Sequence, residues 1–586
     1  MQLITDLQNI IQGDIEYDEN VLDAYSVDWS IFKITPTCIV FPKHAADIQA
    51  VITYVSEHKD TYPDMSITVR AAGTDMTGGP LNTGIILDIT RYMQGVTTVE
   101  RDDSFADQKS FYGHTYSIAG FGQALPGTWY RDFEKATLAK DLIMPCYPGS
   151  RDMCAIGGMV ANNGAGEKTL KYGQNKDFVH ALDVVLADGN EYSIAPMTYA
   201  QMQERMKTKD FYAQILGEVY ELIKEHWELI QEKKPQTSKN ASGYLLWDVI
   251  QAPSIDAFEG GDGVIDLTKL FVGAQGTTGI ITDITYKLVH EKPAHDLLVV
   301  YVNDLKDVPT LVERLMGHDL EMLEMYDDHT FKIGIKFFKD FLKDKGFFGA
   351  IKYSIRFVPE VWMALTKGIP KLIVLAELHG DTEADVNTET RSIYEELQDL
   401  GLPMRMITRD AQEEKFWDFR HDSFKLLSEH STQTRTKGTG TRTAPFIDDI
   451  AVNPEYLPEY LPKLIEILDE YELLYTIAGH LGNGNFHVIP LMTLEEIGDG
   501  ERILEISERV YTLALKYHAT ITAEHNDGIV RTPYIRKQFG DEMTQLFESV
   551  KHICDPLGIF NPGKKVHGTT DDIKKWIAPP PGKIDN

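Results

Sequence analysis

VRAAGTDMTGGP, residues 69–80, sits between two short runs rich in β-branched residues, SITV and IILDIT. Gly73, Gly78 and Gly79 can take positive φ, which frees backbone N–H groups to converge on an anion such as a phosphate. One such loop fits a glycine-rich surface hairpin equally well. It is not the fingerprint of a Rossmann dinucleotide fold, because no GxGxxG opens a helix here. Two more stretches of the same character follow, YPGSRDMCAIGGMVANNGAGEKTLKYG (147–173) and VGAQGTTGIITD (272–283), each flanked by strand-like runs. In the second, Pro148 and Gly149 precede a buried run, Gly157 and Gly158 permit close backbone approach, and Asn162 and Asn163 offer amide donors and acceptors. Three such loops in one half of a chain argue for a shared ligand.

Around these loops the text reads as an α+β protein. Residues 1–31 form an acidic helical segment; from residue 32 strands and helices alternate up to about residue 291, interrupted by a polar helical insertion near 200–260. Residues 292–500 alternate strand-like runs (LLVVYV, LIVLAEL) with helical ones, and 501–586 are mostly helical with a proline-rich end. A chain of 586 residues is too long for one core. The 57 Lys and Arg against 89 Asp and Glu give a net charge of −32, which argues against nucleic acid or an anionic membrane as the main partner. The cysteines, Cys38, Cys146, Cys154 and Cys554, are scattered without a CxxC pair. They fit a reducing compartment and exclude an iron–sulfur cluster held by this chain's own cysteines. The start of the sequence is acidic where a signal peptide is basic, and no apolar run is long enough to span a bilayer. The expected location is cytoplasmic, with peripheral attachment to the inner membrane face as the alternative.

The order RxxGT…GG, PGS…IGGMVANNGAG…KYG, DVVLADG and GxxGTTGIIT resembles the flavin-binding domain of the vanillyl-alcohol oxidase and p-cresol methylhydroxylase (PCMH) superfamily. GHLGNGNFH, AEH and DPLGIFNPGKKV resemble its D-2-hydroxyacid dehydrogenase branch, which acts on D-lactate, glycolate or D-2-hydroxyglutarate. EHNDGIVRTP and PFIDDIAV resemble large bacterial members fused to an iron–sulfur domain. The resemblance implies a PCMH-type FAD-binding domain of two α/β subdomains (32–291), then a cap with an antiparallel sheet (292–500), then a helical segment returning to the flavin domain (501–586). It places the FAD pyrophosphate on Gly73, Thr74, Asp75, Gly78 and Gly79, with Arg70 beside them. It puts the isoalloxazine near Pro148, Gly149, Ser150, Gly157 and Gly158; Asn162, Gly166, Gly276 and Ile280 complete the set. Some superfamily members link flavin to a histidine where this chain has Thr74, so the FAD is expected to be non-covalent. Relatives commonly carry glutamate where this chain has Gln275.

HLGNGNFH, residues 480–487, brackets a Gly–Asn turn with an imidazole at each end. Alone, each histidine fits a core or capping role. Together they can bring two ring nitrogens to one point, as a divalent cation bound at ~2.0–2.1 Å requires, with Glu524 as a carboxylate partner. In the resembled branch His480, His487 and Glu524 hold a divalent metal, zinc foremost, against the substrate hydroxyl, with Asn485 close to substrate. A metal on that oxygen lowers its pKa, His525 is the candidate base, and the C2 hydride goes to flavin N5. Arg420 is the expected partner of the substrate carboxylate. Members acting on 2-hydroxyglutarate add a lysine where this chain has Ile447, which favours D-lactate unless Arg442, Arg435 or Lys437 supplies the second charge. The electron acceptor is open among a quinone, a cytochrome, an electron-transferring flavoprotein and an iron–sulfur partner. A flavin electron-transfer subunit is the alternative reading.

Overall fold

The computed structural model describes residues 2–102, 104, 108–111, 114–330, 368–408, 416–417, 441–494 and 498–577. Arg420, Arg435 and Lys437 lie outside the described residues.

Every residue of the strands Cys38–Phe41 and Ile85–Asp88 is buried, as apolar strands covered on both faces must be. They pair in parallel, Ile67–Arg70 joins Ile85–Asp88 in parallel on its other side, and Asp14–Glu16 closes the far edge antiparallel. The helix Ala45–Glu57 makes the crossover, burying Ile48, Val51, Ile52 and Val55 along one face. The glycine loop 71–79 leaves the end of Ile67–Arg70, where a parallel sheet presents its ligand-binding edge.

A second sheet is antiparallel, in the order Glu191–Ile194, Val179–Val185, Ile280–His290, Gly120–Ala124, Val96–Arg101, with Leu142–Ile143 also paired to Ile280–His290. Helix Phe211–Glu225, from the polar insertion, buries Leu216, Val219 and Ile223 in the same core as Phe133, Ile284 and Tyr286.

The cap is an eight-stranded antiparallel sheet. Its central strands run Ala294–Val302, Leu372–Gly380, Met322–Asp327, Leu474–His480, Asn485–Thr493. The period of two gives it two faces. Leu298, Val300, Leu323, Met325, Val374 and Ala376 pack under helices Val308–Leu315, Glu383–Glu396, Leu457–Glu470 and Asp499–Leu515. Leu297, Val299, Tyr326, Ile373, Leu375 and Ala478 form a separate cluster on the other face. His487 stands opposite Ala478 and His480 opposite Asn485, so both histidines share that second face.

Helix Asp499–Leu515 packs on Leu457–Glu470 and so completes the cap. The return to the N-terminal domain comes later, through Ile535–Cys554, whose Phe539, Met543 and Phe547 enter the core of the second sheet. Beyond it the buried Asn561 ties the N-terminal domain together. Its N–H donates to Ile67 O at 2.8 Å, its Oδ1 accepts from Thr68 Oγ1 at 2.9 Å, and its Nδ2 donates to Gly79 O at 3.0 Å and Gln275 O at 2.7 Å. The cysteines Cys38, Cys146, Cys154 and Cys554 are free and buried, and no described helix is long and apolar enough to cross a membrane.

Asn561→Ala leaves two buried carbonyls without a donor, each worth about 1–3 kcal/mol. The variant is expected to unfold about 2–4 kcal/mol more easily in denaturant; an unchanged midpoint would show that the other contacts of this segment suffice.

Candidate active site

The histidine cluster is assembled by one turn, Thr522 to Asn526, which has no regular secondary structure of its own. It is shaped by the buried Asp449. One carboxylate oxygen, Oδ2, accepts from Thr522 Oγ1 at 2.6 Å and from the amides of Ala523, Glu524 and His525 at 2.9, 2.8 and 2.7 Å. The other, Oδ1, accepts from Asn485 Nδ2 at 3.0 Å. Asp449 itself holds φ at +77°, a left-handed conformation that Asp tolerates better than most residues.

With the turn so held, Glu524 Oε1 becomes a meeting point. His480 Nε2 and His487 Nε2 each lie 3.3 Å from it, and His525 Nε2 lies 3.6 Å away. Each ring's other nitrogen faces a carboxylate: His480 Nδ1 lies 2.5 Å from Glu324 Oε1, His487 Nδ1 3.2 Å from Asp448 Oδ1, and His525 Nδ1 2.6 Å from Asp448 Oδ2. A carboxylate on Nδ1 fixes the tautomer with its proton there and leaves the Nε2 lone pair for a cation. His487, His525, Glu524 and Asp449 each bring a donor atom within 4.8 Å of the others.

The buried charges fit a cation as well. Glu324, Asp448, Asp449 and Glu524 are four buried carboxylates, against Lys239 and Arg531 as buried cations. With neutral histidines that leaves two negative charges, the complement of one divalent ion. Burial opposes the charge on His525, but Asp448 and Asp449 outweigh it and raise its pKa to about 10. Burial likewise opposes ionisation of Glu524, while Lys239 and His480 hold its carboxyl well below the usual range. A bound cation reverses the balance at His525, because its positive charge disfavours the imidazolium.

The three glycine-rich stretches meet beside this cluster. Asp75 Oδ2 accepts from Asn162 Nδ2 at 3.2 Å and from Gln275 Nε2 at 3.3 Å, and Gln275 Oε1 accepts from the Gly528 amide at 2.9 Å. Asn526 Nδ2, next to His525, donates to Asn162 O at 3.1 Å and Gly273 O at 2.8 Å. The amides of Ala71 to Met76 donate to no acceptor among the described residues, and all six residues are half-buried.

Residues 36–194 match the family described as FAD binding domain, and residues 292–565 match the one described as FAD linked oxidases, C-terminal domain. The chain thus carries an FAD-binding domain and, after it, a domain of the FAD-linked oxidase C-terminal type. D-2-hydroxyglutarate dehydrogenase of Pseudomonas putida is 24% identical over 562 residues, covering 94% of this chain and 50% of that protein. Glycolate oxidase subunit GlcD of Escherichia coli is 22% identical over 559 residues, 94% of this chain and 87% of the subunit. This chain thus spans about half the length of the first relative. The solved structure of p-cresol methylhydroxylase with substrate bound superposes with a TM-score of 0.63 at 14% identity, covering 96% of each chain, which shows the PCMH-type fold.

In this FAD-binding domain the loop amides of residues 71–76 suit a diphosphate, and Gly73, at φ +71°, has its Cβ position filled by the Arg70 guanidinium. Thr74 and Asp75 fall inside that run. Pro148, Gly149 and Ser150 lie at a partly exposed rim, and a Cβ on Gly149 would meet nothing within 4 Å. Gly157, Gly166 and Gly276 are required for packing: a Cβ there would come within 2.7 Å of Pro126 O, 2.1 Å of Tyr147 O and 2.9 Å of Val69, respectively, while one on Gly158 would sit tightly, 3.2 Å from the Ala71 Cβ.

Several expected roles change. Arg70 packs against Gly73, but its guanidinium is spent on the N-terminal segment, donating to Tyr25 O at 3.3 Å and Val27 O at 2.9 Å. The amides of Thr77 and Gly78 are already bonded, to Asp75 Oδ1 at 2.5 Å and Asp28 Oδ2 at 3.0 Å, so the run of free amides that starts at 71 breaks after 76; a Cβ on Gly79 would strike Gln275 and Asp75. Ile280 points into the apolar core. Asn485 has no solvent exposure, and its amide is spent on Asp449 and Lys239, so it positions the cluster and does not face substrate. Arg442 stands opposite Met492, five residues along the strand from His487 and so ~17 Å from it; its guanidinium donates to Ile31 O at 3.3 Å. Sequence reading missed Glu324, Asp448, Asp449 and Lys239. Only the DD of PFIDDIAV had been singled out, without a role.

Thr74 offers no ring nitrogen for a flavin bond, so acid precipitation is expected to release all the FAD to the supernatant; flavin in the pellet would contradict this. Gln275→Glu would set a carboxylate beside Asp75 and remove the hydrogen bonds that Nε2 donates to Asp75, Thr77 and Asn162. It is expected to destabilise the protein at neutral pH by about 1–3 kcal/mol, read in thermal denaturation, with weaker retention of FAD.

Proposed function

We propose that this protein oxidises a D-2-hydroxy acid, D-lactate foremost, to the 2-oxo acid, with FAD and a divalent metal, zinc foremost, and passes the electrons to a separate acceptor. The observation that carries the reading is the convergence of three carboxylate-backed Nε2 atoms on one oxygen of Glu524 beside the FAD loops. A protein that only relayed electrons through flavin would have no use for it.

His480, His487 and Glu524 are the groups to hold the metal, and residues 71–76 with the 148–150 rim are the groups to hold FAD. When bound, FAD supplies the acceptor for the C2 hydride and the metal a Lewis acid for the hydroxyl oxygen. His525 takes the hydroxyl proton at Nε2. Its side chain is the most exposed of the three rings, 24% against 5% for His480 and 12% for His487, so it is the one open to substrate. Asp448 holds Nδ1 of both His525 and His487 and stabilises the imidazolium as it forms. Arg420 remains the proposed partner of the substrate carboxylate.

Substrate size follows from what faces the cluster. Ile447 is fully buried in the core under the cap helices, pointing away from its neighbour Asp448, and Arg442 is too distant. These observations support a monocarboxylate, whereas the names of the relatives include D-2-hydroxyglutarate dehydrogenase.

Anaerobic bleaching of the flavin band decides the reaction, and kcat/KM decides the substrate. D-lactate is expected to exceed D-2-hydroxyglutarate by at least about tenfold, or ~1.4 kcal/mol, with the ratio unmoved in Arg442→Ala. A preference for the dicarboxylate would overturn the lactate assignment. His480→Ala and His487→Ala are each expected to lose zinc and turnover while keeping FAD. His525→Ala is expected to keep both and lose ~10²–10⁴ in rate. Full zinc and normal turnover in either ligand variant would overturn the metal reading.

A further inference from the structure

Lys239 belongs to the segment SKNASGY of the flavin domain, yet its ammonium ends inside the histidine cluster, and the side chain has 0% exposure. Nζ lies 2.7 Å from Glu524 Oε2 and 3.2 Å from Asn485 Oδ1. The neighbouring residue is fixed on three sides. The Asn240 amide donates to Gln174 Oε1 at 2.9 Å, Asn240 O accepts from Asn163 Nδ2 at 3.1 Å, and Asn240 Oδ1 accepts from Thr520 Oγ1 at 2.6 Å. A backbone held this way delivers the ammonium to one place.

The two oxygens of Glu524 are therefore not equivalent. Oε1 faces the Nε2 atoms of His480, His487 and His525; Oε2 faces Lys239. The last torsion of a glutamate is soft, so an unpinned carboxylate is free to close on a cation with both oxygens. A charge-assisted hydrogen bond of 2.7 Å resists that rotation. We propose that Lys239 is a positioning residue that keeps Oε2 of Glu524 off the metal, so that the carboxylate binds through Oε1 alone and a place on the ion stays open for the substrate oxygen.

The inference rests on the metal reading above and differs from it in consequence. Loss of His480 or His487 removes a ligand and lowers affinity. Loss of Lys239 removes a positive charge next to the cation and frees a second oxygen, so zinc is retained while turnover falls. A residue that merely propped up the fold would lose zinc and FAD together.

The test uses the zinc-loaded holoenzyme with Lys239→Met, which keeps the length and lacks the donor, and Lys239→Gln, which is shorter and uncharged. Both are expected to keep stoichiometric FAD. Competition with a chromogenic chelator should give a zinc dissociation constant equal to or below that of the wild type. Zinc K-edge absorption should show an added light-atom neighbour, and flavin reduction by D-lactate should slow by ~10- to 100-fold. An unchanged neighbour shell in both variants overturns the proposal, as does joint loss of zinc and FAD in both. A wild-type protein that takes up no divalent ion overturns the metal reading, and this inference falls with it.

Discussion

The carboxylate of Asp449 is the constraint on which the rest of the site depends. An unstructured turn from Thr522 to His525 must present a glutamate and a histidine side by side while leaving three consecutive amides without helix or sheet partners. Buried amides demand acceptors, and Asp449 Oδ2 meets all three. The charge then needs support of its own. Asn485 supplies a donor at Oδ1, and the fully buried Arg531 lies under the same segment, donating to Asn526 O and to Asp448 O. Asp448, one residue earlier, faces the other way and sets two imidazoles at once. Two adjacent aspartates thus divide the work: one shapes the backbone, the other orients the rings.

So many ionised groups in one interior are tolerable only if they balance. Removing a charge from water is expensive unless it is paired and hydrogen-bonded. Here every carboxylate has identified partners, and the residual negative charge is of the size a divalent ion would neutralise. Lys239 enters from the flavin domain and Glu324 from the cap sheet, so the balance exists only when both domains are docked. That dependence gives the protein a physical reason to place its cluster at their junction, where Asn526 also joins the His525 turn to two of the FAD loops.

The FAD loops show how a departure from relatives can be read locally. Gln275 takes a position where the resemblance leads one to expect glutamate, and the amide suits its surroundings, since it donates to Asp75 and to Asn162 Oδ1. The N-terminal segment has a similar role. Asp28 and Arg70 fasten it over the first loop, withdrawing Gly78 and Arg70 from the anion nest while leaving the amides of 71–76 free.

The sequence by itself determined the class of fold and the flavin cofactor that goes with it. Three glycine loops between strands, and two histidines on either side of a tight turn, are local signals: they depend on φ freedom and on spacings of a few residues, which a sequence states directly. The Gly–Asn turn between His480 and His487 allowed both rings to reach one point; the pairing of the two strands is what sets them on one face. What only the tertiary structure decided is which distant residues meet them. Lys239, Glu324 and Asp449 are separated by tens to hundreds of positions, and nothing in their surroundings gives them a role, because buried polar residues are selected for a partner in space and leave no periodicity. Asn485 was misread for that reason: beside two histidines in the chain it looks like a substrate contact, but in space its amide is consumed by Asp449 and Lys239. Ile447 and Arg442 carry the same lesson, since the direction of a side chain is set by register, and register is fixed only when the strands pair.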